Sequence, residues 1–425
     1  MTYRQAMEKI NSRLLFGMKP GLERMRALMD ELGEPQKKLK FVHVCGTNGK
    51  GSVCTLVSSV LKESGYRTGL NISPYVLNFR ERFQIDGEMM TEEELIAEVE
   101  AIWPAVERLD ARDIVVSEFE LVTAIALHWF AQKGCDIAVL EVGMGGLHDA
   151  TNVIPTPEAA AVMSISLDHT AWLGDTVEQI ALEKSGIIKP GGRVVLYPQQ
   201  QPGVEDIIRG VCAGRGADLY IPDMTKIAVL SEDIEGTEFQ AEGLRLRTPF
   251  LGEHQVKNAA VALELVKILR ERGFDISDES LAEGFKKAFI PARMEIISKD
   301  PLCLLDGGHN PGCALVLKDA LERYVPGPRT AIMGMMADKD SVAALEILGP
   351  MFSKIITVKP ENPRSLSAED LAKTAARFCP EAVPAASFKE ALDLAVESGG
   401  ALIACGSFYM AGELRPLLLE KFTHR

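Results

Sequence analysis

Gly46-Thr47-Asn48-Gly49-Lys50-Gly51-Ser52 puts glycines, a lysine and a hydroxyl within one short run, a combination suited to holding a polyphosphate. Phosphate oxygens crowd the backbone, and glycine tolerates both that approach and the positive φ angles that aim N–H groups at an anion. Lys50 has the reach to grip terminal phosphates, and the Ser52 hydroxyl can ligate Mg²⁺. Val53 continues into a helix whose N-terminus adds a partial positive charge. The run departs from the general G-x-x-x-x-G-K-[ST] form, since Val44 stands at the first glycine position and Gly51 separates Lys50 from Ser52. A plain glycine-rich turn is the bland alternative. The order of glycine, lysine and hydroxyl favours an ATP site.

Gly143-Met144-Gly145-Gly146 is a second cluster behind an apolar run. A dinucleotide fingerprint there lacks its third glycine, His148 standing in its place, and Pro155 and Pro157 forbid an immediate helix to hold a pyrophosphate. Glu141 closes the apolar run before that cluster. A carboxylate at such a buried strand end is costly unless it meets a cation, and Mg²⁺ is the natural one. Asp168-His169-Thr170 follows another apolar run, with His169 either a ligand or a satisfied structural histidine. Lys184 taken alone is a helix-end lysine. Asp306-Gly307-Gly308-His309-Asn310-Pro311 follows an apolar run too, and suits either a polar site or a turn with a helix cap.

These groups need a scaffold that brings strand ends together. Short apolar runs alternate with longer amphipathic ones, the pattern of a parallel sheet built from β-α-β units. Strands are expected at 41–45, 137–141, 160–165 and 193–197, with helices at 52–64, 92–109, 118–132, 176–186 and 254–272. A small β subregion is expected between Gly214 and Leu251. A second α/β series is expected from Leu302, with strands at 330–333, 355–358 and 401–405. The fold class is α/β: a larger N-terminal phosphate-loop domain, 1–297, on a mostly parallel sheet, and a smaller Rossmann-like domain, 298–425.

The 425 residues carry 60 acidic against 46 basic side chains, a net charge of −14. That excess argues against nucleic acid as the main partner, so a phosphorylated ligand must be held locally by amides, a metal and a few placed cations. The eight cysteines form no C-x-x-C pair and read as thiols of a reducing compartment. The N-terminal residues lack the apolar region of a secretory signal, and no apolar run approaches the roughly 20 residues of a membrane span. The expected address is the cytoplasm.

In order along the chain, GTNGKGS, SPYVLNFRERFQIDG from Ser73, EVGMGGLHDATN from Glu141, SLDHTAWLG from Ser166, EKSGI from Glu183, DGGHNP from Asp306, MADKD from Met336 and CGSFY from Cys405 resemble folylpolyglutamate synthase/dihydrofolate synthase, of the Mur-ligase superfamily. The resemblance implies that ATP phosphorylates a pteroate or folate carboxylate and that the amine of L-glutamate attacks the acyl phosphate, releasing ADP and phosphate. It implies that Gly46 through Val53 hold the nucleotide phosphates, that Ser52, Ser73, Glu141 and His169 place Mg²⁺, and that Lys184 is carbamylated by CO₂. Asn258 and Asp306 then address base and ribose, and Arg293 the phosphates. His309 and Ser407 position glutamate. Met18, Lys19, Pro20, Phe119, Glu120, His148, Asp149 and Ala150 line the pteroate side. Two departures bear on substrate choice: Leu147-His148 where the family reads Arg-Leu, and Tyr75 where it has histidine. The resemblance further implies a monomer acting on small molecules, without membrane or nucleic-acid partners. A Mur-type ligase acting on a UDP-linked acid and a nucleotide-binding regulator without turnover are the competing readings.

Overall fold

The computed structural model describes residues 1–16, 21–75, 77–167 and 173–423. Its large sheet has eight strands: β1 (Lys40–Cys45), β2 (Thr68–Asn71), β3 (Phe83–Ile85), β4 (Glu88–Met89), β5 (Ile137–Glu141), β6 (Ala159–Val162), β7 (Arg193–Leu196) and β8 (Asp218–Tyr220). Their order is β4-β3-β2-β5-β1-β6-β7-β8. From β2 to β8 every pair is parallel, and β3 and β4 add an antiparallel edge. Every residue of β5 and β6 is buried, as uninterrupted apolar runs require when helices cover both faces.

On β1 the side chains alternate between those faces. Val42 and Val44 meet Leu56, Val60, Val261 and Leu265 of the helices Lys50–Glu63 and Glu253–Glu271. Phe41 instead joins Leu121, Ile125 and Phe130 of the helix Glu118–Gln132. Capping boxes fix three helix starts, Thr91 with Glu94, Ser117 with Glu120, and Thr176 with Gln179. Each box satisfies orphan N–H groups at both ends of one turn.

The expected strand to Ile165 ends at Val162. Beyond it the backbone spends its hydrogen bonds elsewhere: Gln200 bonds Met163 and Ile165, and the Ser164 carbonyl accepts from Thr47. The helix expected to Gly186 is α-helical through Lys184 and tightens into a 3₁₀ turn, Ser185–Ile187. The β subregion is smaller than expected, because the helix Val204–Arg215 and β8 still belong to the large sheet. It comprises β9 (Ile227–Asp233), β10 (Gly236–Ala241) and β11 (Leu244–Thr248), an antiparallel sheet that sends Phe239 and Leu246 into the main core.

The second series forms six strands, β12 (Glu295–Lys299), β13 (Leu302–Asp306), β14 (Arg329–Met333), β15 (Lys354–Thr357), β16 (Ala382–Pro384) and β17 (Ala401–Cys405), in the order β12-β13-β17-β14-β15-β16. All pairs except β12 with β13 are parallel, and apolar clusters cover both faces. A division at residue 298 cuts through β12. That strand is tied to the second sheet at its start, where Glu295 receives the guanidinium of Arg415 from the helix Phe408–Thr423. Among the described residues, no helix is long and apolar enough to cross a membrane.

Candidate active site

β5, β1 and β6 lie side by side, so their carboxyl ends converge, where ligand sites form in open α/β sheets. β1 delivers the glycine-rich loop. Gly46 and Gly49 have φ of 143° and 86°, and a Cβ at either would lie 2.5 Å from Met163 Cβ or from Asn258 Oδ1. Only glycine fits either place. Thr47 ties the loop to the chain leaving β6, its N–H donating to Ser164 O at 2.8 Å and its hydroxyl bonding the Ser166 main chain. The helix then starts at Lys50, with Ser52 in its first turn.

Glu141 ends β5 beside this loop and is 6 % exposed. One carboxylate oxygen accepts from Ser73 N–H at 3.0 Å, and the other is 3.9 Å from Lys50 Nζ. Burial pushes this carboxyl above the usual carboxylate range, against the pull of Lys50. Lys50 itself is folded back, donating to the carbonyls of Gly46 and Thr47 at 3.1 and 3.2 Å. Lys184 is 3 % exposed, and its Nζ donates to the same Gly46 carbonyl at 2.9 Å. Phosphate loop, carboxylate and buried amine thus share one corner.

From the second sheet, Asp306 at the end of β13 is buried and accepts from the Met294 and Gly308 amides. Arg293 is exposed, with its guanidinium 4.7 Å from the centre of the Phe408 ring. Its charge reaches both Glu141 and His309. His309 packs edge-on against Phe408, and burial, with the Lys339 charge, lowers its pKa. Asn258 lies on Gly49 and donates to Gln255. A cavity of about 10 Å³ lined by Asp306, His309, Cys313, Met333 and Met335 has room for a water molecule, not an amino acid.

Other expected residues have structural partners. Glu120 closes the capping box with Ser117 and pairs with Arg24 at 3.0 Å. Asp149 is buried and accepts from the amides of Met144 and Thr151. Ser407 is 1 % exposed and caps its helix by accepting from Met410 N–H. Ala150 is buried in the core, whereas His148 and Leu147 are exposed and Phe119 packs against Gly143. Met18, Lys19, Pro20 and His169 lie outside the described residues. Among the described residues no three His, Cys, Asp or Glu side chains group as a metal site. Sequence reasoning passed over Arg24, Lys339 and the buried pair His43–Thr151. A histidine inside the apolar run FVHVC was the available signal for the last.

Residues 116–266 match the Mur ligase middle domain, and 292–408 match the Mur ligase glutamate ligase domain. A folylpolyglutamate synthase of Lacticaseibacillus casei is 32% identical, covering 99% of each chain. A dihydrofolate synthase/folylpolyglutamate synthase of Bacillus subtilis is 35% identical over 87% of this chain and 88% of the relative. The solved structure of Escherichia coli FolC in complex with DHPP and ADP superimposes with a TM-score of 0.83 at 28% identity, over 99% of this chain and 98% of that one. With a glycine-rich loop, a buried carboxylate and a buried lysine gathered at the carboxyl ends of its central strands, this chain belongs to the folylpolyglutamate synthase/dihydrofolate synthase family of Mur ligases and is an ATP-dependent ligase that joins L-glutamate to a pteroate or folate carboxylate.

Proposed function

We propose that the corner between β1 and β5 performs the phosphoryl transfer and that the second sheet presents glutamate to it. The observation that supports this most is the convergence of Gly46–Ser52, Glu141 and Lys184. ATP takes the loop amides, and Lys50 exchanges its two carbonyl acceptors for phosphate oxygens. The carboxylate of the acid attacks the γ-phosphorus, and the bond to ADP breaks. The glutamate amine then attacks the acyl carbon, phosphate leaves, and the amine gives up a proton. Little covalent work falls to the protein, so positioning and charge neutralisation supply the rate.

A buried carboxylate with one amide donor and a lysine 3.9 Å away suits a hard cation. Glu141, Ser52 and Ser73, with His169 from the resemblance, would hold Mg²⁺, which supplies charge neutralisation at the phosphates. Lys184 fits a carbamate: its neutral amine attacks CO₂, forming an N–C bond and releasing a proton, and the remaining N–H still serves Gly46 O. Asn258, Asp306 and Arg293 serve the nucleotide, with His309 beside the glutamate. Phe119 and the exposed Leu147-His148 face the acid.

We place the division between the two domains ahead of Glu295, and read the protein as a cytoplasmic monomer acting on small molecules, with no membrane or nucleic-acid partner. The deciding assay supplies ATP, Mg²⁺ and L-glutamate with either dihydropteroate or tetrahydrofolate, and detects the amide by mass. Glutamate-dependent product with at least one acid is expected. No product with either, or product only with a UDP-linked acid, overturns the reading. Degassed, CO₂-free buffer should lower turnover, and bicarbonate should restore it in the wild type but not in Lys184→Ala. Insensitivity of the wild type removes the carbamate.

A further inference from the structure

His43 lies on the central strand β1, three residues before the phosphate loop, and is 0 % exposed. Its Nε2 is 2.8 Å from Thr151 Oγ1, which is 2.5 Å from Asp149 Oδ1. Burial, with the positive charge of Lys189, drives the imidazole pKa down to about 3, so the ring is neutral. Donor counting fixes the remaining protons. Burial raises the Asp149 carboxyl pKa, while the donors around it favour the ionised form; as a carboxylate it accepts from Met144 N–H, Thr151 N–H and the Thr151 hydroxyl. Thr151 has one hydroxyl proton and gives it to Asp149, so it must accept from His43 Nε2–H. His43 Nδ1 is then a bare acceptor, and among the described residues it has no partner.

This chain of bonds runs from the sheet to the loop that follows Glu141. Asp149 Oδ2 holds the Met144 amide at 3.0 Å. From the opposite side the loop is pressed on the lysine-bearing helix, with Leu147 N–H donating to Glu183 O at 3.0 Å. Asn152 Nδ2 adds bonds to the Leu147 and Gly186 carbonyls. The loop is therefore clamped between the helix end that carries Lys184 and a relay that begins at His43.

We propose that His43 is a positioning residue: acting through Thr151 and Asp149, it holds the Gly143–Asp149 loop against Lys184 and so shapes the place where the pteroate or folate acid binds. The inference rests on the proposed placement of that acid. It predicts a selective defect, because the relay ends on the acid-side loop while the phosphate loop keeps its own ties to Ser164 and Ser166.

The test compares His43→Leu, His43→Gln, Thr151→Val and the double variant His43→Leu/Thr151→Val in steady-state ligation. His43→Leu and Thr151→Val should each raise the acid's KM about tenfold, as loss of one buried hydrogen bond to a charged network does, with the ATP KM close to wild type. The double variant should be no worse than either single one, and His43→Gln, whose amide N–H replaces Nε2–H, should recover most of the loss. In ¹⁵N-histidine-labelled wild type, the resonance absent from His43→Gln should show the neutral Nε2–H tautomer. An unchanged acid KM in Thr151→Val, additive defects, a His43→Gln variant as impaired as His43→Leu, or an Nδ1–H tautomer overturns the proposal. Should His43→Leu fail to fold, Thr151→Val and the tautomer decide. Should the wild type ligate neither acid, the functional reading fails, while the tautomer still tests the relay.

Discussion

Replacing Gly146 by alanine tests how closely the loop after Glu141 and the end of the lysine-bearing helix must fit. Gly146 is outside the left-handed region, so the change adds no backbone strain of its own. A Cβ there would lie 2.6 Å from the Lys184 carbonyl oxygen and 2.9 Å from Lys184 Cα. Ordinary contact begins near 3.4 Å, leaving a shortfall of about 0.8 Å against the Lys184 carbonyl oxygen, a main-chain atom. No side chain can rotate away to relieve it. Overpacking of this kind costs about 1–3 kcal/mol, and a displacement approaching 1 Å beside the reacting groups costs about 100-fold in rate. Lys184 would move with its backbone, and its Nζ sits 2.9 Å from the phosphate-loop carbonyl of Gly46. Turnover from coupled ADP release should fall by about that factor, with a moderate loss of thermal stability. Gly210→Ala is the control: nothing lies within 4 Å of its Cβ, and alanine in that helix interior should stabilise by about 0.5–1 kcal/mol with unchanged turnover. A Gly146→Ala enzyme that turns over like wild type would refute the reasoning.

Three further outcomes follow from burial and charge. Arg415→Met strands Glu295, whose carboxylate is buried and takes guanidinium bonds of 2.7 to 3.0 Å; denaturant titration should show a loss of about 3 kcal/mol or more, and a neutral result would mean the pair contributes nothing. Seven of the eight cysteines are buried and only Cys313 is partly exposed, so a thiol reagent should react with at most one site in native protein and with all eight in denaturant; several fast native thiols would contradict the packing. His43 titrates near 3 in the fold against 6.5 in the unfolded chain. The unfolded state therefore binds the extra proton, and stability falls as pH drops through 6.5 towards 3. Going from pH 7 to pH 5 this group alone should cost about 2 kcal/mol, a slope missing in His43→Gln; parallel curves for the two proteins would sink the assignment.

The chain's repeating apolar runs made the two sheets legible, because a strand buried on both faces has few alternatives to Val, Ile, Leu and Ala. The end of β6 was not legible. Met163 and Ile165 continue the apolar pattern, and Met163 N–H still reaches Cys45 O, yet the other backbone groups go to Thr47 and to the Gln200 side chain, and partners that distant in sequence leave no local mark. The start of β12 was missed for a similar reason, since Glu295 reads as polar until Arg415 arrives from the last helix.

Among the candidate site residues, those that sequence alone could not separate are the ones whose chemistry suits both substrate contact and chain architecture. Ser117-x-x-Glu120 is a capping box in form as well as a pair of polar groups that the family resemblance assigns to the pteroate side, and Asp149 and Ser407 likewise cap or brace the turns they start. Two buried glutamates show what decides between the roles. Glu120 is 4 % exposed and has Arg24 at 3.0 Å together with the Ser117 amide and hydroxyl; its charge is met within the protein. Glu141 is 6 % exposed, with one amide and a lysine at 3.9 Å that donates to carbonyls instead. The two differ little in burial and much in compensation. Burial already raises the Glu141 carboxyl pKa, so a carboxylate left that far short of satisfaction stays ionised only beside a cation from outside, which on the proposed reading the phosphates of ATP would bring.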